Sequence, residues 1–151
     1  MKRIHQLVPR FEPGAVGTAL VEGRDALRAA GYSSEIVADE IDDRFAGLGA
    51  LSSDCLDDLV DPQTLLVYHL AIGAVMADRL LARSERLVVM YHNLTPAELL
   101  EPWDPHLGPV IAWGRQQMRA LAPRAAIAIG MSRFSERELD AVGYARTTTV
   151  P

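Results

Sequence analysis

Two tyrosine–histidine pairs, Tyr68-His69 and Tyr91-His92, each close a short apolar run of strand type, over residues 64–69 and 86–91. Asn93 and Thr95 follow the second pair. If the two runs lie side by side, the imidazoles meet at one crevice. There they offer hydrogen bonds to a hydroxylated ligand and a route for a proton. His92 is the main candidate, because Asn93 and Thr95 add polarity around it. His69 reads equally well as a satisfied structural group, and Thr95 as a helix cap.

A second candidate is the loop after the first apolar run, where Gly14-Ala15-Val16-Gly17 leads into helical spacing. Free backbone N–H groups and the helix dipole at such a start favour a phosphate. A turn that needs glycine geometry is the other reading. The dinucleotide fingerprint G-x-G-x-x-G is not met, and no G-x-x-x-x-G-K-[ST] loop is present. Asp39, Glu40, Asp42 and Asp43 follow the second run; they read as a solvated acidic loop, with a ribose contact as the rival use. Ser132 and Arg133 follow the fifth run, where Arg133 can meet an anion or simply be solvated. Arg115 and Arg119 read as a solvated helix face, Cys55 as a small core residue, and Trp103 as a sugar platform or as packing. His5, His69, His92 and His106 have no metal-ligand spacing, so no metal is expected. No G-x-S-x-G motif marks a nucleophile.

The elements that must position these residues alternate. Strands are predicted over 3–8, 34–38, 64–69, 86–91, 125–129 and 147–150. Helices are predicted over 18–30, 74–82, 105–121 and from a capping box at Ser135 to Gly143. A short helix over 55–60 and a helix start at Thr95-Pro96 complete the reading. Gly31 sits where a left-handed helix cap is wanted. Most of the strands are continuous apolar runs, which need cover on both faces. The fold class is therefore α/β: a three-layer, doubly wound, mostly parallel, Rossmann-like sheet, with ligands expected beyond the carboxyl ends of the strands.

Composition narrows the function further. The chain has 151 residues, 49% hydrophobic and 23% charged, which suits one domain with a sizeable core. A net charge of −5 argues against non-specific nucleic-acid binding. The single cysteine rules out an intrachain disulfide. The longest apolar stretch, residues 70–77, is too short to cross a bilayer, and no signal-peptide pattern opens the chain. A cytoplasmic location without a transmembrane segment is expected.

Taken in order, these pieces carry a family resemblance. His5-Gln6-Leu7-Val8-Pro9 leading to Gly14–Gly17, Arg24–Tyr32 before a strand, and Tyr68-His69 with Ile72-Gly73 are its first half. Tyr91-His92-Asn93-Leu94-Thr95-Pro96 and Ser132-Arg133-Phe134 with Gly143-Tyr144 are its second. The chain resembles the N-terminal domain of a family-four retaining glycosyltransferase, one half of a GT-B fold. The resemblance implies that residues 1–151 form the acceptor-side domain and that a C-terminal donor-binding domain is absent from this chain. It implies transfer of a sugar from a nucleotide-sugar donor to an acceptor hydroxyl with retention. His92 maps to the contact at the reacting centre, and Gly14, Ala15, Val16 and Gly17 to the donor phosphate loop. Tyr68, His69, Asn93 and Arg133 are secondary cleft residues. No cofactor or metal is implied, since helix termini and side-chain cations neutralise the leaving group in such enzymes. The family's paired glutamates, eight positions apart, do not occur here. The isolated domain is accordingly expected to be inactive, and to self-associate through its exposed cleft face. The rival reading is a stand-alone flavodoxin-like binding or signalling module.

Overall fold

The computed structural model describes residues 2–100 and 102–150. β1 (Ile4–Phe11), α1 (Ala15–Ala29) and β2 (Ile36–Ile41) come first. A 3-10 turn at Asp43–Leu48 precedes the two-residue β3 (Leu51–Ser52) and the short α2 (Leu56–Leu59). Then come β4 (Leu65–Leu70), α3 (Val75–Leu81), β5 (Arg86–Tyr91), the single turn α4 (Ala97–Leu100) and α5 (Leu107–Leu121). β6 (Ala125–Gly130), α6 (Arg133–Val142) and β7 (Thr147–Thr149) complete the order.

The strands form one 7-stranded sheet in the order β3-β2-β1-β4-β5-β6-β7, and every pairing is parallel. This is the expected doubly wound, Rossmann-like α/β fold. The chain reverses its lateral direction between β1 and β4, which makes that gap the switch point of the sheet. Right-handed crossovers put α1 on one face and the helices that follow β4, β5 and β6 on the other. The apolar packing separates accordingly. Val8, Phe11, Ile36 and Ala38 meet Leu20 of α1 on one side. Leu7, Leu66, Tyr68 and Val89 meet Met76, Met118 and Leu139 on the other.

Several boundaries move for local reasons. β1 runs on past the predicted end at residue 8, through Pro9 to Phe11. The pairing with β4 stops at Leu7↔Tyr68, so the missing Pro9 N–H falls where no ladder bond is made. Asp39 and Glu40 extend β2 and are not loop. α1 starts at Ala15, directly after Gly14, and not at residue 18. Its end carries the expected Gly31 cap: Gly31 N–H donates to Arg28 C=O and Tyr32 N–H to Leu27 C=O, the pair of bonds of a Schellman motif. α6 begins at Arg133, two residues before the predicted Ser135, because the Ser132 hydroxyl accepts from Ser135 N–H and caps the helix.

Among the described residues no helix is long and apolar enough to cross a membrane. Cys55, read as a core residue, is exposed. Arg115 is not merely solvated: it donates to Leu94 C=O at 2.7 Å and lies 3.5 Å from Glu138.

Candidate functional site

The polar groups expected to converge do so in part. Leu20 C=O, in α1, can only accept, so the group that meets it at 2.8 Å is the Gln6 amide nitrogen. Gln6 Oε1 is then turned toward His69 Nε2, 3.2 Å away, and accepts its hydrogen. Neutral His69 consequently presents a lone pair at Nδ1. His92 Nε2 lies 2.9 Å from that nitrogen and must donate to it. The relay fixes both tautomers from a backbone carbonyl outward. It leaves His92 Nδ1 as an acceptor with no partner among the described residues. The two rings are 16° from parallel.

Burial sets the protonation states. His69 is 2% exposed, and burial, reinforced by the neighbouring His92, pushes its pKa down to about 3. His92 is half-buried, and desolvation alone lowers its pKa. His5 is lowered as well, chiefly by burial, and is held neutral between Glu35 N–H and Leu59 C=O. At neutral pH the relay therefore ends in an uncharged imidazole with one open nitrogen.

That nitrogen stands on the carboxyl rim, where His92 follows β5 and its N–H donates to Leu70 C=O at the end of β4. The glycine loop stands on the same rim. Between it and the β4–α3 loop lies a cavity of ≈ 470 Å³, walled by Pro9, Gly14, Val16, Gly17, Ile72 and Leu107. The first α1 bond is Thr18 N–H to Gly14 C=O, so the N–H groups of Ala15, Val16 and Gly17 have no acceptor within the helix. Gly17 is needed for a close approach. A methyl group there would collide with Glu12 C=O and lie 2.8 Å from the Phe45 ring. Gly17→Ala is expected to destabilise the domain by about 1–3 kcal/mol and to displace the loop. An unchanged urea midpoint would show that the loop gives way freely.

The other expected cleft residues divide. Asn93 is exposed on the rim. It is the non-glycine residue with left-handed backbone among those described, φ 71°, and its Oδ1 accepts from the Ser135 hydroxyl. Arg133 opens α6 on the same rim, exposed and with no ion-pair partner among the described residues. Tyr68 is a correction. Successive strand residues point to opposite faces, so with His69 on the α1 side Tyr68 is sealed in the core beneath the other helices, 0% exposed. Burial, with Asp39 and Asp78 nearby, raises its pKa.

Three supports hold the site, and two of them, Gln6 and Gln117, were given no role by the sequence. Gln6 is the pivot of the relay. Gln117 of α5 accepts from Ala74 N–H at 3.0 Å and donates to Ala74 C=O at 2.8 Å, pinning the β4–α3 wall of the cavity. Tyr91 donates to Glu138 and accepts from Leu94 N–H, anchoring the chain just beyond His92. Gln117→Met leaves both Ala74 groups unsatisfied. It should cost about 1–3 kcal/mol and speed hydrogen exchange at Ala74; slow exchange there in the variant would refute the strut. Asp39, the acid a ribose would need, instead accepts from Met76 N–H at the start of α3.

Exposed apolar side chains crowd this rim. Val75, Leu99, Trp103, Met131 and Phe134 all follow the carboxyl ends of strands, and Trp103 is 87% exposed. It is not a packing residue. Among the described residues no three of His, Cys, Asp and Glu gather as a metal site. Comparison with protein-family models and with the curated proteins finds no match.

Proposed function

We propose that this chain is the acceptor-side, N-terminal domain of a retaining, nucleotide-sugar-dependent glycosyltransferase. The observation that carries the reading is His92 Nδ1, held open by the His69–Gln6 relay on the same rim and sheet side as the start of α1. β1 and β5 are two strand spacings apart, about 10 Å. A ligand with a phosphate at the Ala15–Gly17 N–H groups and a hydroxyl at His92 bridges that span. The apolar rim is the surface that a donor-side domain or a second copy would cover. The neutral imidazole can accept a hydrogen bond or a proton from an acceptor hydroxyl, but the groups expected on the opposite wall are needed to stabilise a departing diphosphate.

The test is a screen of the full-length protein against nucleotide-diphosphate sugars, reading thermal shift and sugar transfer. A donor at 100-fold excess over its Kd should stabilise the protein by about 2.7 kcal/mol. No shift with any donor would defeat the reading. Turnover by residues 1–151 alone would defeat the claim that the domain is half a site. Saturable binding of some other small ligand without transfer would favour the binding-module alternative.

A further inference from the structure

The backbone immediately after His92 is unusual. Asn93 stands at φ 71°, in the left-handed region that residues other than glycine rarely adopt. Such a conformation persists where its surroundings over-determine it. On one side, His92 N–H is tied to Leu70 C=O at 3.0 Å. On the other, side chains hold both backbone groups of Leu94. Leu94 N–H donates to the Tyr91 hydroxyl at 3.0 Å, and Leu94 C=O accepts from Arg115 at 2.7 Å.

Glu138 closes these contacts into a cycle. A carboxylate only accepts, so Tyr91 O–H donates to Glu138 at 2.8 Å and keeps its lone pairs for Leu94 N–H. Burial, the largest cause, pushes the Tyr91 pKa up to about 12, so the hydroxyl keeps its hydrogen. The other Glu138 oxygen lies 3.5 Å from Arg115. Tyr91 and Leu94 are buried in the core, whereas Arg115 and Glu138 come from α5 and α6. A further contact from α6, the Ser135 hydroxyl to Asn93 Oδ1 at 3.1 Å, holds the turn itself. Only His92 and Asn93 lie between Tyr91 and Leu94. Fixing both ends and the turn therefore fixes the direction of the imidazole.

We infer that Glu138 and Arg115 are positioning residues for His92: through Tyr91 and Leu94 they hold the left-handed turn at Asn93, which aims the His92 ring at His69 Nδ1. The inference concerns the geometry of the relay, and only its activity readout rests on the transferase reading.

The test is amide and imidazole nitrogen-15 NMR of the chain. In Glu138→Ala, and separately in Arg115→Ala, solvent exchange of His92 Nε2–H should quicken roughly tenfold or more as the turn opens locally. The φ-dependent coupling of Asn93 should move toward an averaged value. Glu138→Gln keeps an acceptor for the Tyr91 hydroxyl and should restore most of the protection. Tyr144→Phe is the control. Tyr144 O–H donates to Met118 C=O at 2.9 Å, joining the end of α6 to α5 outside the cycle. Its loss should lower the melting temperature and leave the His92 signals unmoved. Circular dichroism checks that each variant folds, and Arg115→Ala, at a half-buried position, carries the test if Glu138→Ala does not. Unchanged His92 signals in the alanine variants would overturn the inference. So would an equal change in Tyr144→Phe, which would make the cycle a general staple of α5 and α6. In the full-length protein the alanine variants should lower kcat for sugar transfer while leaving the donor KM unchanged. No transfer by the wild type would defeat the transferase reading and leave the NMR result standing; transfer lost with the His92 signals unmoved would defeat this inference.

Discussion

Acidification from pH 7 to 4.5 should remove about 2–3 kcal/mol of folding stability through His69, with His92 and His5 adding in the same direction. The sign follows from proton counting. His5, His69 and His92 all have pKa values below the ordinary 6.5 in the folded chain, with burial as the first cause for each. Below pH 6.5 the unfolded chain binds protons that the folded chain refuses. Stability is therefore full above that value and falls as pH drops, until each folded pKa is reached, about 3 for His69. A single refusing histidine contributes a slope approaching 1.4 kcal/mol per pH unit, roughly. Exposed carboxylates enter later. Asp42, whose pKa the Arg44 side chain lowers to about 2, contributes only below its unfolded value near 3.8. The window from 6.5 to 4.5 thus belongs to the histidines. The first proton to enter the relay goes to the open Nδ1 of His92, and a second on His69 is opposed by the first. His69→Asn should lower stability at pH 7 and flatten the slope in urea titrations between pH 6.5 and 4.5. An identical slope in wild type and variant would sink the account.

The same residues show what a sequence can and cannot display. The alternation of apolar runs with helical spacing sufficed for the doubly wound sheet, because buried parallel strands write themselves as Leu87-Val88-Val89-Met90 and need no distant context. The meeting of His69 and His92 was also legible: both stand at the ends of consecutive strands, and consecutive parallel strands are commonly neighbours. The placement of Tyr68 went wrong within the reach of sequence, since period-2 alternation already forbids Tyr68 and His69 from sharing a face. Gln6 and Gln117 are different. Their partners lie 63 and 43 residues away, and no local pattern joins them. A signal did exist for Gln6, a polar side chain inside Ile4-His5-Gln6-Leu7-Val8. A buried amide must find partners, which makes such a residue a candidate support even before its partners are known.

Replacing His92 tests the proposed chemistry apart from the fold. In the full-length protein, His92→Ala should reduce sugar transfer by roughly 10²–10⁴-fold, the usual contribution of a positioned proton acceptor. The structural loss should be modest by comparison, because the ring is half-buried and only its Nε2–H is used within the domain. His92→Gln separates these two roles. Its amide N–H can still donate to His69 Nδ1, which preserves the relay, while its side chain cannot take a proton near neutral pH. If His92 acts through its open nitrogen, glutamine should restore the melting temperature and leave transfer low. The activity that remains should lose its dependence on the imidazole pKa. Full activity in the glutamine variant would reduce His92 to a donor for His69 and move the reacting centre elsewhere on the rim. Nitrogen-15 shifts of the wild-type domain provide a check independent of turnover: both relay imidazoles should carry their hydrogen on Nε2, as the chain of bonds from Leu20 C=O requires. An Nδ1–H signal at His92 would break that chain at its last link.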